Sequence, residues 1–89
     1  MIIVMDFYAN WCNPCKKLDP YLEEFKEIYP SYQFQKIDIE KEEQLVEKYK
    51  IQSLPTILII DSNSNEILSK IEGFNLPLIK QELFKYSSK

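Results

Sequence analysis

Cys12 and Cys15 are the only two cysteines among 89 residues, and they form a single Cys-x-x-Cys. Two thiols at that spacing could serve as a structural staple, as metal ligands or as a redox pair. A staple is a poor use of them. The stabilisation grows with the loop that is closed, and a four-residue loop contributes only about 2 kcal/mol in the chain-entropy view. Zinc takes about four N or S ligands, and the chain contains no His, so two thiolates do not complete a site within one chain. A metal or cluster shared by two chains through Cys12 stays open. A redox-active dithiol is the reading that the residue types favour.

The flanking sequence places the pair at a handover from strand to helix. Residues 2–8, Ile-Ile-Val-Met-Asp-Phe-Tyr, form an apolar run without alternation, the pattern of a strand covered on both faces. A helical pattern begins near Cys12 and stops before Pro30, with Leu18, Tyr21, Leu22, Phe25, Ile28 and Tyr29 on one stripe. The aromatic positions Tyr21, Phe25 and Tyr29 are expected in the core. Pro14 suits the first turn, where its missing N–H is not needed, and Pro20 is expected to kink the helix. Cys12 then sits at a helix N-terminus, where free N–H groups and the macrodipole favour a thiolate. Cys15, one turn further in, is expected to be the more buried. The asymmetry implies roles: Cys12 attacks a target disulfide and Cys15 resolves the mixed disulfide.

Further along, residues 32–39 read as a second strand and 41–50 as a short helix with Leu45, Val46 and Tyr49 facing inward. Residues 56–60 and 66–71 read as a hairpin across an Asn- and Ser-rich turn that tolerates positive φ. A final helix is expected over about 77–86, with Ile79, Leu83 and Tyr86 on one side. The order is β-α-β-α-β-β-α, one domain over 1–89 with no repeat or linker. Asp6 stands out as a carboxylate inside an apolar strand; the pattern alone does not choose between a buried functional group and a surface residue. Gly73 is the only glycine and follows the hairpin, which suggests positive φ or a close backbone approach.

Composition removes several function classes. Eleven Lys against fourteen acidic residues leave a net charge of −3, with no basic footprint for nucleic acid or an anionic membrane. Without Arg, bidentate phosphate clamping is absent too. Without His, every Ser–His or Cys–His catalytic arrangement is excluded. Residues 1–5 lack the basic leader and cleavage site of a secretory signal, and no stretch approaches the twenty apolar residues of a membrane span. A cytoplasmic location is the expectation, and in a reducing compartment an isolated Cys pair is more often catalytic than structural.

The run from Val4 to Lys16, with Asp6 and the core Trp11-Cys12-Asn13-Pro14-Cys15, resembles the active-site segment of the thioredoxin family. Leu54-Pro55-Thr56 resembles that family's cis-proline segment, and Gly73 its glycine after the hairpin. Pro20 resembles its helix-kinking proline, and Lys36-Ile37-Asp38 its second conserved strand stretch. The similarity covers essentially the whole chain. It implies a thioredoxin fold shortened at the N-terminus, since residues 2–8 resemble the family's second strand. Four strands would then be ordered second, first, third, fourth in a mixed sheet flanked by helices, with the strand over 32–39 at an exposed edge.

The resemblance also implies a buried Asp6 that accepts the proton of Cys15, with Lys36 beside it; burial would raise the carboxyl's pKa towards working pH. It implies a cis Leu54–Pro55 bond, whereas Pro55 by itself reads as an ordinary strand-starting proline. Trp11, Leu54, Ile39, Gly73 and Phe74 would border a groove for an extended substrate segment, although Trp11 by type alone also suits core packing. Asn13 departs from the glycine usual before the proline, and residues between the cysteines influence redox poise.

The reading that follows is a protein-disulfide reductase without a bound cofactor or metal. Cys12, Cys15 and Asp6 are the expected catalytic residues, Trp11, Leu54, Pro55 and Gly73 the substrate-binding ones, and Asn13, Pro14 and Lys36 the supporting ones. Its partners would be protein disulfides and an external reductase or glutathione, with weak homodimerisation through the edge strand. The alternatives are oxidase- or isomerase-type exchange, for which Asn13 leaves room, glutaredoxin-like exchange, whose shortened outline is similar, and a non-catalytic module that docks a larger enzyme.

Overall fold

A computed structural model describes residues 1–88. Ile2–Tyr8 forms β1, Asn13–Ile28 α1, Gln33–Asp38 β2, Glu43–Lys48 α2, Thr56–Asp61 β3, Glu66–Glu72 β4 and Leu76–Lys85 α3. The expected element order is therefore met, as is the sheet order β2-β1-β3-β4. β1 runs parallel to β2 and antiparallel to β3, and β3 and β4 form an antiparallel hairpin. In that hairpin's turn Asn65 takes up a φ of 59°, a conformation that Asn tolerates better than most residues.

β1 has no alternation because both faces are covered. Ile2 and Val4 join Leu18, Leu22 and Phe25 of α1, Ile57 and Ile59 of β3, and Ile79 and Leu83 of α3 in one core. Phe7 joins Ile37, Leu58 and Ile60 in a second core on the other face, against which Leu45, Val46 and Tyr49 pack. Those three are the residues expected to face inward from the short helix read over 41–50.

Two expectations need correction. Tyr21 and Ile28 belong to the helical stripe but are 37% and 57% exposed, because α1 meets the sheet along Cys15, Leu18, Leu22 and Phe25 and the two others lie at the border of that contact. α2 is shorter than 41–50. Asp38 ends β2 in a turn that consumes the residues after it: its Oδ1 accepts from Glu40 N–H, and its carbonyl accepts from the N–H groups of Lys41 and Glu42. At its other end Lys50 has a φ of 54°, and the Lys70 ammonium donates to the carbonyls of Tyr49 and Lys50.

Candidate active site

β1 delivers the chain to the Cys segment through a tight turn. Cys12 N–H donates to the Ala9 carbonyl at 3.1 Å, so Asn10 and Trp11 sit at the turn's tip and Trp11 is 65% exposed. That exposure rules out core packing for Trp11. Cys12 then caps α1: its backbone is extended, and its Sγ accepts from Cys15 N–H at 3.2 Å. Asn13 and Pro14 fill the first turn. The two cysteines are joined by a disulfide, with Cα atoms 5.3 Å apart. Both are buried, Cys15 more deeply at 3% than Cys12 at 6%.

Beside the disulfide runs an open groove of about 500 Å³. Trp11, Cys12, Asn13, Pro14, Ile39 and Leu54 line it, together with Val46 and residues 51–53, whereas Cys15 does not. Leu54 also packs against the Ala9, Cys12 and Cys15 cluster. The Leu54–Pro55 bond is cis. Pro55 itself is fully buried, and its carbonyl accepts from Gly73 N–H at 2.7 Å. Gly73 has a φ of +81°, and a Cβ there would meet nothing within 4 Å, so its conformation and not crowding calls for glycine. Gly73 is thus tied to the proline segment without lining the groove. Phe74, expected at the groove, instead meets Tyr21 edge-on at 6.4 Å.

Asp6 is buried, at 4% exposure. Neither carboxylate oxygen has a hydrogen-bond partner among the described residues. Its pKa is pushed up from 3.8 to about 7, chiefly because burial penalises the charged form; Lys36 and Lys26 pull the other way and Asp19 adds to the rise. Lys36 lies opposite Asp6 in the β1–β2 register, as a neighbour should. Its ammonium, however, pairs with Asp19 at 3.1 Å and stands 4.4 Å from the centre of the Tyr8 ring. A second cavity, of about 270 Å³, reaches Asp6 between α1 and β2.

The sequence reading missed Asp19 and the groove residues Val46, Ile51, Gln52 and Ser53. The last three directly precede the Leu54-Pro55 segment, so their proximity to it was a usable signal. For Asp19 no local signal existed, since its partner arrives from another element. Among the described residues no group of three or more Cys, Asp or Glu side chains could hold a metal, and no helix is long and apolar enough to cross a membrane.

A disulfide that caps a helix at the end of a central strand, next to a groove walled by a cis-proline loop, defines a thiol–disulfide oxidoreductase. Residues 1–85 match the thioredoxin family model, and the chain belongs to the thioredoxin family, with the protein-disulfide reductase activity that the family and its Cys pair carry. Thioredoxin-1 of Saccharomyces cerevisiae is 38% identical over 82 residues, which are 92% of this chain and 78% of the relative. The crystal structure of Deadhead, a germline-specific thioredoxin of Drosophila melanogaster, superposes with a TM-score of 0.90 at 34% identity, covering 96% of this chain and 80% of that one. A structure from work on thiol resolution in yeast mitochondrial 1-Cys peroxiredoxin by the glutathione and thioredoxin systems matches with a TM-score of 0.88 at 26% identity, covering 94% and 77%.

Proposed function

We propose that Cys12 is the attacking thiol and Cys15 the resolving one, with Asp6 as proton acceptor and the groove beside Trp11 and Leu54 as the seat of the target. The observation that carries this is the asymmetry of the pair: Cys12 lines the groove and Cys15 does not. Cys15 N–H also points at Cys12 Sγ, an arrangement that stabilises negative charge on that sulfur once the disulfide is open.

The Cys12 thiolate attacks one sulfur of the target disulfide, whose S–S bond breaks, and the released target sulfur takes up a proton. Asp6 accepts the proton of Cys15, whose thiolate then attacks Cys12 Sγ. The mixed disulfide breaks, the second target sulfur takes a proton from solvent, and two electrons have passed from the Cys pair to the target, with the protons exchanged through solvent. The 270 Å³ cavity at Asp6 gives its proton a way out to solvent. Pro55 and Gly73 hold the groove wall in place through their backbone bond. Asn13 and Pro14 shape the first helical turn.

Its targets are protein disulfides, with oxidised peroxiredoxin thiols a candidate class by likeness to the yeast system. An external reductase or glutathione restores the dithiol in a reducing, cytoplasmic setting. The free edge of β2 offers a place for weak self-association; sedimentation of a monomer at high concentration would remove that part of the reading. The main test is dithiothreitol-driven reduction of a model protein disulfide. Cys12→Ser and Cys15→Ser should both lose catalysis, and Cys15→Ser should trap a mixed disulfide through Cys12. Trapping by Cys12→Ser instead would reverse the assignment.

A further inference from the structure

Lys36 faces Asp6 directly across the parallel register of β1 and β2, which makes it the natural counter-ion of the buried carboxylate. The ammonium goes elsewhere. It binds Oδ1 of Asp19 on α1 at 3.1 Å, and both oxygens of Asp6 remain without a hydrogen-bond partner. Asp19, Asp6 and Lys36 line one cavity, so no wall separates the competing acids. The Lys36 and Asp19 side chains are 44% and 41% exposed. A half-exposed pair contributes little to stability, which leaves its influence on Asp6 as its main consequence.

We propose that Asp19 is a positioning residue for Asp6: it holds the Lys36 ammonium against α1 and so keeps the buried carboxyl without a counter-ion in contact, ready to take a proton. The proposal rests on the reading of Asp6 as proton acceptor. The charged groups that act on Asp6 or share its cavity are Asp19, Glu23 and Lys26 from α1 and Lys36 from β2; its β3 neighbour in register is the apolar Ile57. Removing the Asp19 charge acts twice in one direction. A repelling carboxylate disappears, and Lys36 becomes free to approach Asp6. Both favour the ionised form.

The test is carbon-detected NMR titration of the Asp6 carboxyl in the oxidised protein, where Cys15 carries no proton. Asp19→Asn should lower the Asp6 midpoint by about one pH unit or more. In a Lys36→Met background the same substitution should move it by less than half as much. An unmoved midpoint in Asp19→Asn overturns the proposal. So does an equal shift in both backgrounds, because Asp19 would then act by its own charge and not through Lys36. The pH profile of target reduction separates this inference from the reading beneath it. A midpoint that falls as expected while the profile stays put upholds the hold of Asp19 on Asp6 and removes Asp6 from turnover.

Discussion

A carboxyl buried against a sheet face without a hydrogen-bond partner is neutralised most readily by its own proton. Asp6 therefore titrates at about 7 in the folded protein against an ordinary 3.8. Between those two values the native state binds a proton that the unfolded chain has released, so raising the pH through that window destabilises the fold, and the loss is complete above it. Asp6→Asn, close in shape and never charged, escapes the loss. Its stability to urea in the oxidised form should match wild type near pH 4 and exceed it at pH 8, by an unfolding free energy on the order of 4 kcal/mol if the whole shift is expressed. The same variant should slow reduction of a protein disulfide near neutral pH. Matching midpoints at pH 8 would mean that Asp6 ionises without cost, and unchanged turnover would take it out of the mechanism. Cys12 is legible in the sequence as a thiol at a helix start and Asp6 as a charge in an apolar strand, whereas the burial of Asp6 and the part played by Pro55, an ordinary strand-starting proline by type, follow only from the resemblance of their segments to the family. Asp19 is ordinary for an exposed helical position. Its meaning arises only because α1 crosses β2 where Lys36 emerges, and no local pattern encodes that crossing.

The elements depend on a few cross-links as well as on their apolar faces. Tyr32 shows how one residue ties two of them. Its ring stacks on Tyr29 at 4.9 Å, just past α1, and its hydroxyl donates to the Leu83 carbonyl in the last turn of α3 at 2.7 Å. That carbonyl belongs to the group a helix cannot satisfy internally. Tyr32→Phe keeps the stack and removes the bond, and should cost about 1 kcal/mol with target reduction unaffected, read from denaturant midpoints alongside turnover. A larger loss would mean that the hydroxyl also orders α3. Strand and helix identities followed from periodicity, and the elements differ from expectation mainly in their ends. The end of β2 and the start of α2 were set by the turn at Asp38, whose side chain competes for backbone N–H groups. Apolar spacing does not report such competition. The stripe on α1 was read too wide for a related reason: spacing marks the residues able to face the sheet, and the sheet's own width decides that Tyr21 and Ile28 stay at its border.

At the scale of the whole molecule the two sheet faces are unequal. The face under α1 and α3 buries Ile2, Val4, Leu18, Leu22, Phe25, Ile57, Ile59, Ile71, Ile79 and Leu83. Among the described residues the opposite face buries Phe7, Ile37, Leu58 and Ile60, and its cover from α2 and the following loop, including Leu45, Val46, Tyr49, Ile51 and Leu54, is partly buried. α2 contributes no fully buried residue. Ile39, Val46, Ile51 and Leu54 from this thinner side are also walls of the groove beside Cys12. The groove is thus built against the more thinly covered of the two sheet faces, the condition for local opening below the global unfolding free energy. Native-state hydrogen exchange should accordingly show α2 amides opening at clearly lower free energy than those of α1, β1 and β3. A target trapped on Cys12 in Cys15→Ser should raise protection in α2 and the loop to Leu54 more than elsewhere, since its contacts would add the cover that this face lacks. Equal opening energies across α1 and α2 would show that the sheet ladder alone holds both faces, and that the groove wall is as rigid as the core behind it.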